Sequence, residues 1–180
     1  MTVYKDAGHC IGRVMSIEMH DGTAKAPWQR KYQAGFEGIV AESVSDGLSP
    51  EERTTQDAMT RSMLKRSLPP VQWHALVAKF SINENEVRES ASYLTINVVT
   101  PAHHLFRTKC VMAWVVPERR KRLPTAFYQI HTWDADGTPD RTLRRWRSIT
   151  KRWLDDQVNA AHVTVEALLE QNGLLLDHTA

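Results

Sequence analysis

Two adjacent histidines and an arginine, His103, His104 and Arg107, follow a Thr100-Pro101 helix start. At 100° per residue, a helix from Ala102 to about Val116 places Ala102, Leu105, Phe106, Ala113 and Val116 on one side. His103, Arg107 and Trp114 then face the other way, with His104 beside them. Polar side chains on the leading turns of one helix suit nucleic-acid reading, because a recognition helix presents its N-terminal residues to base edges and phosphates. An arginine there can bond a guanine edge through two hydrogen bonds. Lys109 projects nearer the apolar side and is the weaker contact. The same pattern also describes a helix that turns a polar face to water.

A second group is Arg141, Arg144, Arg145, Arg147, Lys151 and Arg152, interleaved with Trp146 and Trp153. On a helix, Leu143, Trp146, Trp153 and Leu154 share one side. Arg141, Arg145 and Arg152 share the other, with Arg144 and Lys151 at the flank. Such a face grips phosphates or an acidic protein surface, or simply keeps the helix in water; the tryptophans suit a core better than a base-stacking platform. The third group is the loop Arg119-Arg120-Lys121-Arg122, ahead of Pro124. Four consecutive cations cannot all be buried, so they lie in solvent or reach a phosphate backbone or an acidic partner.

Signals for an enzyme are poor. Neighbours in a helix point about 100° apart, so His103 and His104 rarely grip one ion. Cys10 and Cys110 have no CxxC partner and read as structural thiols; His9 and His131 are isolated. Asp134-Ala135-Asp136-Gly137 lacks the distal glutamate of a calcium loop and reads as a turn feeding a helix. No glycine-rich phosphate loop or nucleophile elbow is present. The expectation is a non-enzymatic protein with no catalytic residue, no metal and no cofactor.

Composition agrees with a folded, soluble, intracellular chain. In 180 residues, 42% are hydrophobic and 24% charged, which is not a disordered balance. Two cysteines exclude a disulfide-stapled scaffold and a four-cysteine zinc site. The longest apolar run, Cys110 to Val116, is far below the ~20 residues that cross a bilayer. No basic start followed by an apolar run opens the chain, so no signal peptide is expected. The net charge of +2 hides an uneven layout. Residues 117–153 carry ten basic and four acidic side chains, whereas 154–180 carry five acids and no Lys or Arg.

The elements that must position these groups are helices. Residues 1–24 lack a clear period and read as an irregular arm. Trp28, Tyr32, Phe36, Ile39, Val40 and Val44 follow at helical spacing after Pro27. Ser49-Pro50-Glu51-Glu52 is a strong start signal for a helix to about Ser67. Pro70 opens a helix carrying Trp73, Leu76, Val77 and Phe80. Asn83 with Glu86 forms a second capping box, and the Pro101 helix follows. Ala126 to Trp133 allows a short helix or a strand. Thr138-Pro139-Asp140 starts a long helix that Asn172-Gly173 ends. The expected fold is an all-α helical bundle with a helix-turn-helix DNA-binding core and a long C-terminal helix. Its divisions are an N-terminal arm and helix (1–48), the helix-turn-helix core (49–117), and the basic loop with the long helix (118–180), packed as one unit.

The stretch from Leu68 to Phe80 (LPPVQWHALVAKF) is similar to the helix that opens sigma-region-4-like and phage Q-type DNA-binding domains. With the Asn83, Pro101 and Thr138 helices behind it, the chain resembles the AlpA and phage Q-like transcription antitermination factors over about residues 50–155. The link Thr95 to Thr100 is longer than the usual tight turn. The resemblance implies a bacterial, cytoplasmic, nucleoid-associated factor that binds a double-stranded DNA element near a promoter. It implies engagement of RNA polymerase, or its sigma factor, and a change in the RNA exit channel that lets terminators be read through. Carried onto this chain, it assigns His103, His104, Arg107, Lys109, Arg119, Arg120, Lys121 and Arg122 to DNA. Arg141, Arg144, Arg145, Lys151 and Arg152 are assigned to DNA, nascent RNA or polymerase. No membrane partner is implied. A conventional helix-turn-helix repressor or activator is the alternative.

Overall fold

A computed structural model describes residues 3–17, 49–120 and 122–175. The architecture is an all-α bundle, as expected. Its helices are α1 (Ala7–Met15), α2 (Pro50–Ser67), α3 (Pro70–Phe80), α4 (Glu84–Asn97), α5 (His104–Val115) and α6 (Asp140–Gln171). Three short 3-10 turns, Glu118–Arg120, Thr125–Tyr128 and Ile130–Trp133, join α5 to α6. The region left open between helix and strand therefore folds as tight helical turns. The helix expected around Trp28 to Val44 lies outside the described residues.

Local chemistry sets most helix starts. Ser49 accepts from the Glu52 amide at 3.3 Å, and the Glu52 carboxylate accepts from the Ser49 amide at 2.8 Å. This reciprocal box satisfies two donors that no helix can pair internally, and such a cap is worth about 1 kcal/mol. Asn83 caps α4 by accepting from Asn85 and Glu86 amides, but the Glu86 carboxylate does not fold back. It receives the buried Arg61 guanidinium at 2.6 Å and the Ser81 hydroxyl at 3.0 Å. A group expected to cap its own helix is drawn away to tie α2 to the α3–α4 turn. Gly173 ends α6 with a φ of 63°, where a side chain would be strained.

The N-terminal residues correct the expectation of an irregular arm. Asp6 caps α1 by accepting from the His9 amide at 2.7 Å, and Ala7, Cys10, Ile11, Val14 and Met15 are buried. They recur at helical spacing, and Gly8 and Gly12 lie among the exposed positions. The α1 face packs with Leu64, Trp73 and Leu76 and with Ala161, Val165 and Leu169 of α6. Val3 and Tyr4 amides both donate to Leu174 carbonyl, at 2.9 and 3.0 Å. Each end of the described chain thus fastens the other.

Helix α6 is the spine. Its 32 residues extend ~48 Å at 1.5 Å per residue. Its C-terminal part closes the core over α1 and α3. Leu154 lies in a second cluster with Ala75, Leu94, Val111 and Trp114. Leu143 lies in a third with Ala102, Phe106, Cys110 and Trp133. Each fully buried large apolar side chain contributes about 1.5–3 kcal/mol. Burial pushes the Cys10 thiol up to about 12 and the Cys110 thiol to about 11, so both remain protonated at neutral pH. No described helix is long and apolar enough to cross a membrane.

Candidate nucleic-acid interface

The start of α5 is built around His103. As N-cap it accepts from the Phe106 amide through Nδ1 at 3.3 Å. The neutral ring proton therefore sits on Nε2, which lies 3.0 Å from Asp134 Oδ1 and donates to it. Asp134 also accepts from the Thr138 amide at 2.8 Å and the Thr138 hydroxyl at 3.1 Å. One carboxylate thus joins the start of α5 to the entry of α6. The Thr138 amide above all, and then His103, hold the Asp134 carboxyl below its ordinary 3.8.

That shift has a sign. The folded form binds the Asp134 proton more weakly than the unfolded chain, so the tie is fully present above pH ~3.8 and lost as pH falls through the lower folded value. Near-UV circular dichroism from pH 5 to 2 should show this loss in the native sequence and a flatter response in Asp134→Ala.

Behind this tie, the Phe106 ring meets Trp133 and Trp146 edge-on at 5.4 and 5.6 Å between centroids. Trp133 Nε1 donates to the Phe127 carbonyl at 2.6 Å, and Tyr128 hydroxyl to the Val116 carbonyl at 2.6 Å. The 3-10 turns are thereby clipped onto α5. Lys109 Nζ donates to the Thr132 carbonyl at 2.8 Å, so this side chain also holds the clip.

The outward face expected for α5 is corrected. His103, Arg107, Cys110 and Trp114 form one stripe, and that stripe turns toward α6. Trp114 is 5% exposed and donates Nε1 to Asp155 of α6 at 2.8 Å. Arg107 is half-buried, and its Nε is enclosed without a hydrogen-bond partner among the described residues. His104 is exposed, and so is Leu105, which was expected inside. The cause is that α5 is apolar around much of its circumference. Its few polar residues could not determine which side meets the bundle.

The α6 cations form a surface. Arg141, Arg144, Arg145, Arg147, Lys151 and Arg152 are all exposed on the N-terminal part of that helix. Arg141, Arg145 and Arg152 fall within about 40° of one another and span ~16 Å along the axis. Leu143 and Leu154 are buried behind them and Trp146 and Trp153 half-buried, as the spacing requires. Arg144 pairs with Asp140 at 2.7 Å, and the Arg147 guanidinium lies 5.8 Å from the Trp133 ring centroid. Arg141 sits in the first turn, beside the positive end of the helix dipole, where a cation opposes helix stability.

The basic loop divides. Arg120 and Arg122 are exposed, and Arg122 lies 3.7 Å from Glu84 with both side chains mostly in water, a pair worth about 0–1 kcal/mol. Arg119 lies in the Glu118–Arg120 turn. Lys121 lies outside the described residues.

Sequence reading missed one grouping. His103, Asp134 and Asp136 offer ligand atoms within 4.8 Å of one another. His103 stands 31 residues from Asp134, so no local motif signals the meeting. Both nitrogens of His103 and both oxygens of Asp134 already serve protein hydrogen bonds. The arrangement works as a fastening between α5 and α6. The chain matches no protein-family model and no curated protein.

Proposed function

We propose that the protein is a DNA-binding transcription antitermination factor that holds duplex phosphates on the basic half of α6. The observation that carries this reading is the exposed row of six cations from Arg141 to Arg152, which begins in the first turn, where the helix dipole disfavours a cation. An exposed row of cations suits a polyanion, and phosphate neutralisation with counterion release supplies the affinity. Arg120, Arg122 and His104 are exposed as well.

In this reading the factor loads at a promoter-proximal element and engages paused RNA polymerase. It alters the RNA exit channel so that terminator hairpins fail to act. Binding and positioning suffice, with no covalent step. In vitro transcription through an intrinsic terminator tests it, on templates with and without candidate promoter-proximal DNA. Added protein is expected to raise read-through several-fold on the first template and leave the second unchanged. Reduced initiation with unchanged read-through would make it a conventional repressor instead.

A further inference from the structure

A second surface lies on the other side of α5. Its residues His104, Thr108 and Met112 point roughly 140° away from the stripe that meets α6. With parts of α1, α3 and α4 they line a groove of about 1390 Å³. That exceeds the ~300–1,000 Å³ of ordinary small-molecule sites. Apolar side chains lie open in it: Phe80 is 38% exposed, Ile82 41%, Met112 39% and Ile96 74%. The charged lining is one-sided. Arg88 and Arg120 stand exposed in it, Arg122 lies 3.7 Å from Glu84, the one described carboxylate of the lining, and Lys79 Nζ stands 4.4 Å from the Trp114 ring centroid. Arg13 is compensated from behind by Asp57, at 2.9 Å.

We propose that this groove docks an amphipathic helix of a partner protein, with carboxylates flanking its apolar stripe. The open apolar side chains receive anchors at i, i+3, i+4 and i+7, the usual pattern of a helix laid in a groove. The surrounding cations select acidic flanks and reject basic ones, by the same complementarity that sets specificity at protein interfaces. A duplex would gain from the cations but nothing from Phe80, Ile82, Ile96 and Met112. This inference stands apart from the nucleic-acid reading, because the basic row of α6 does not line the groove.

The test uses the full chain and two fluorescein-labelled 18-residue helical peptides. Both carry leucines at i, i+3, i+4 and i+7; one has glutamate flanks and the other lysine flanks. Fluorescence anisotropy at 50 mM salt should show the glutamate peptide binding at least tenfold more tightly. Met112→Glu and, separately, the surface change Arg88→Glu should each weaken it at least fivefold without altering DNA retardation. A benzophenone side chain placed at 112 should crosslink to the glutamate peptide. Equal binding of the two peptides, no binding, or indifference to both substitutions overturns the proposal. So does a crosslink from 112 to the same chain or to a second copy, which assigns the groove to that occupant.

Discussion

Changing Arg141, Arg145 and Arg152 together to Glu is expected to lower affinity for duplex DNA at least 100-fold while leaving the fold intact or firmer. Three cations that share the outer face of α6 become three anions. Each lost phosphate contact removes its share of counterion release, and each new carboxylate repels the backbone. Stability moves the other way. A carboxylate at 141, in the first turn, meets the positive end of the helix dipole and contributes about 0.3–1 kcal/mol. Electrophoretic retardation and thermal denaturation of the same preparation check both directions. A loss of binding with an unchanged or higher Tm assigns the row to a ligand. Unchanged binding makes it a solubilising face.

The largest expected stability effect is at the junction of α1 and α2. Asp57 receives Arg13 Nε at 3.1 Å, with Arg13 Nη2 2.9 Å from its other oxygen, and the Tyr4 hydroxyl at 2.7 Å. The Arg13 and Asp57 side chains are each 11% exposed, and Tyr4 is fully buried. The Arg13 guanidinium also stands 5.0 Å from the Tyr4 ring centroid, and Thr60 Oγ1 lies 3.0 Å from the Tyr4 hydroxyl. Burial above all pushes the Tyr4 phenol far up, so it remains a donor at every accessible pH. Asp57→Ala therefore leaves the Arg13 guanidinium without its carboxylate and the Tyr4 hydroxyl with Thr60 alone. Breaking a buried pair from one side costs about 3–5 kcal/mol. For a chain of this size that lowers Tm by roughly 10 °C, by calorimetry or circular dichroism. Asp57→Asn keeps an acceptor for Tyr4 and should recover part of the loss. An Asp57→Ala protein with native Tm would show that α1 is held by apolar packing alone.

What was legible in the sequence was mostly local. Ser49-Pro50-Glu51-Glu52, Pro70, Asn83 and Asn172-Gly173 mark helix ends because caps and turns act within four residues. The buried stripe of α6 was legible for a related reason: 32 residues repeat one period often enough to fix a face. The orientation of α5 was not. Twelve residues with apolar side chains on most sides leave the choice of face to neighbours far along the chain. There α6 and Trp133 claim His103, Phe106 and Trp114. Helix α1 was hidden by Gly8 and Gly12, which suggest a loop although Ala7, Cys10, Ile11 and Val14 carry a helical period. The His103–Asp134–Thr138 fastening depends on a meeting across 31 residues, which spacing rules cannot register.

These misses bear on function as well as fold. The face that first suggested base reading holds the domain together, since His103 caps α5 and Lys109 clips the turn before α6. The cations of α6 keep the exposed face their spacing suggested because no core residue competes for them. A charged side chain on a long, regular helix is easier to place than one on a short helix packed on several sides.

The most direct measurement is the salt dependence of binding to a 20-base-pair duplex, from 50 to 300 mM monovalent salt, for the native sequence and the triple Glu variant. Contacts to four or five phosphates give a slope of log affinity against log salt of about −4, and removing three of them should bring it to about −1. Equal slopes for the two proteins, or no retention of duplex by the native chain at 50 mM, would contradict the assignment of α6 to nucleic acid.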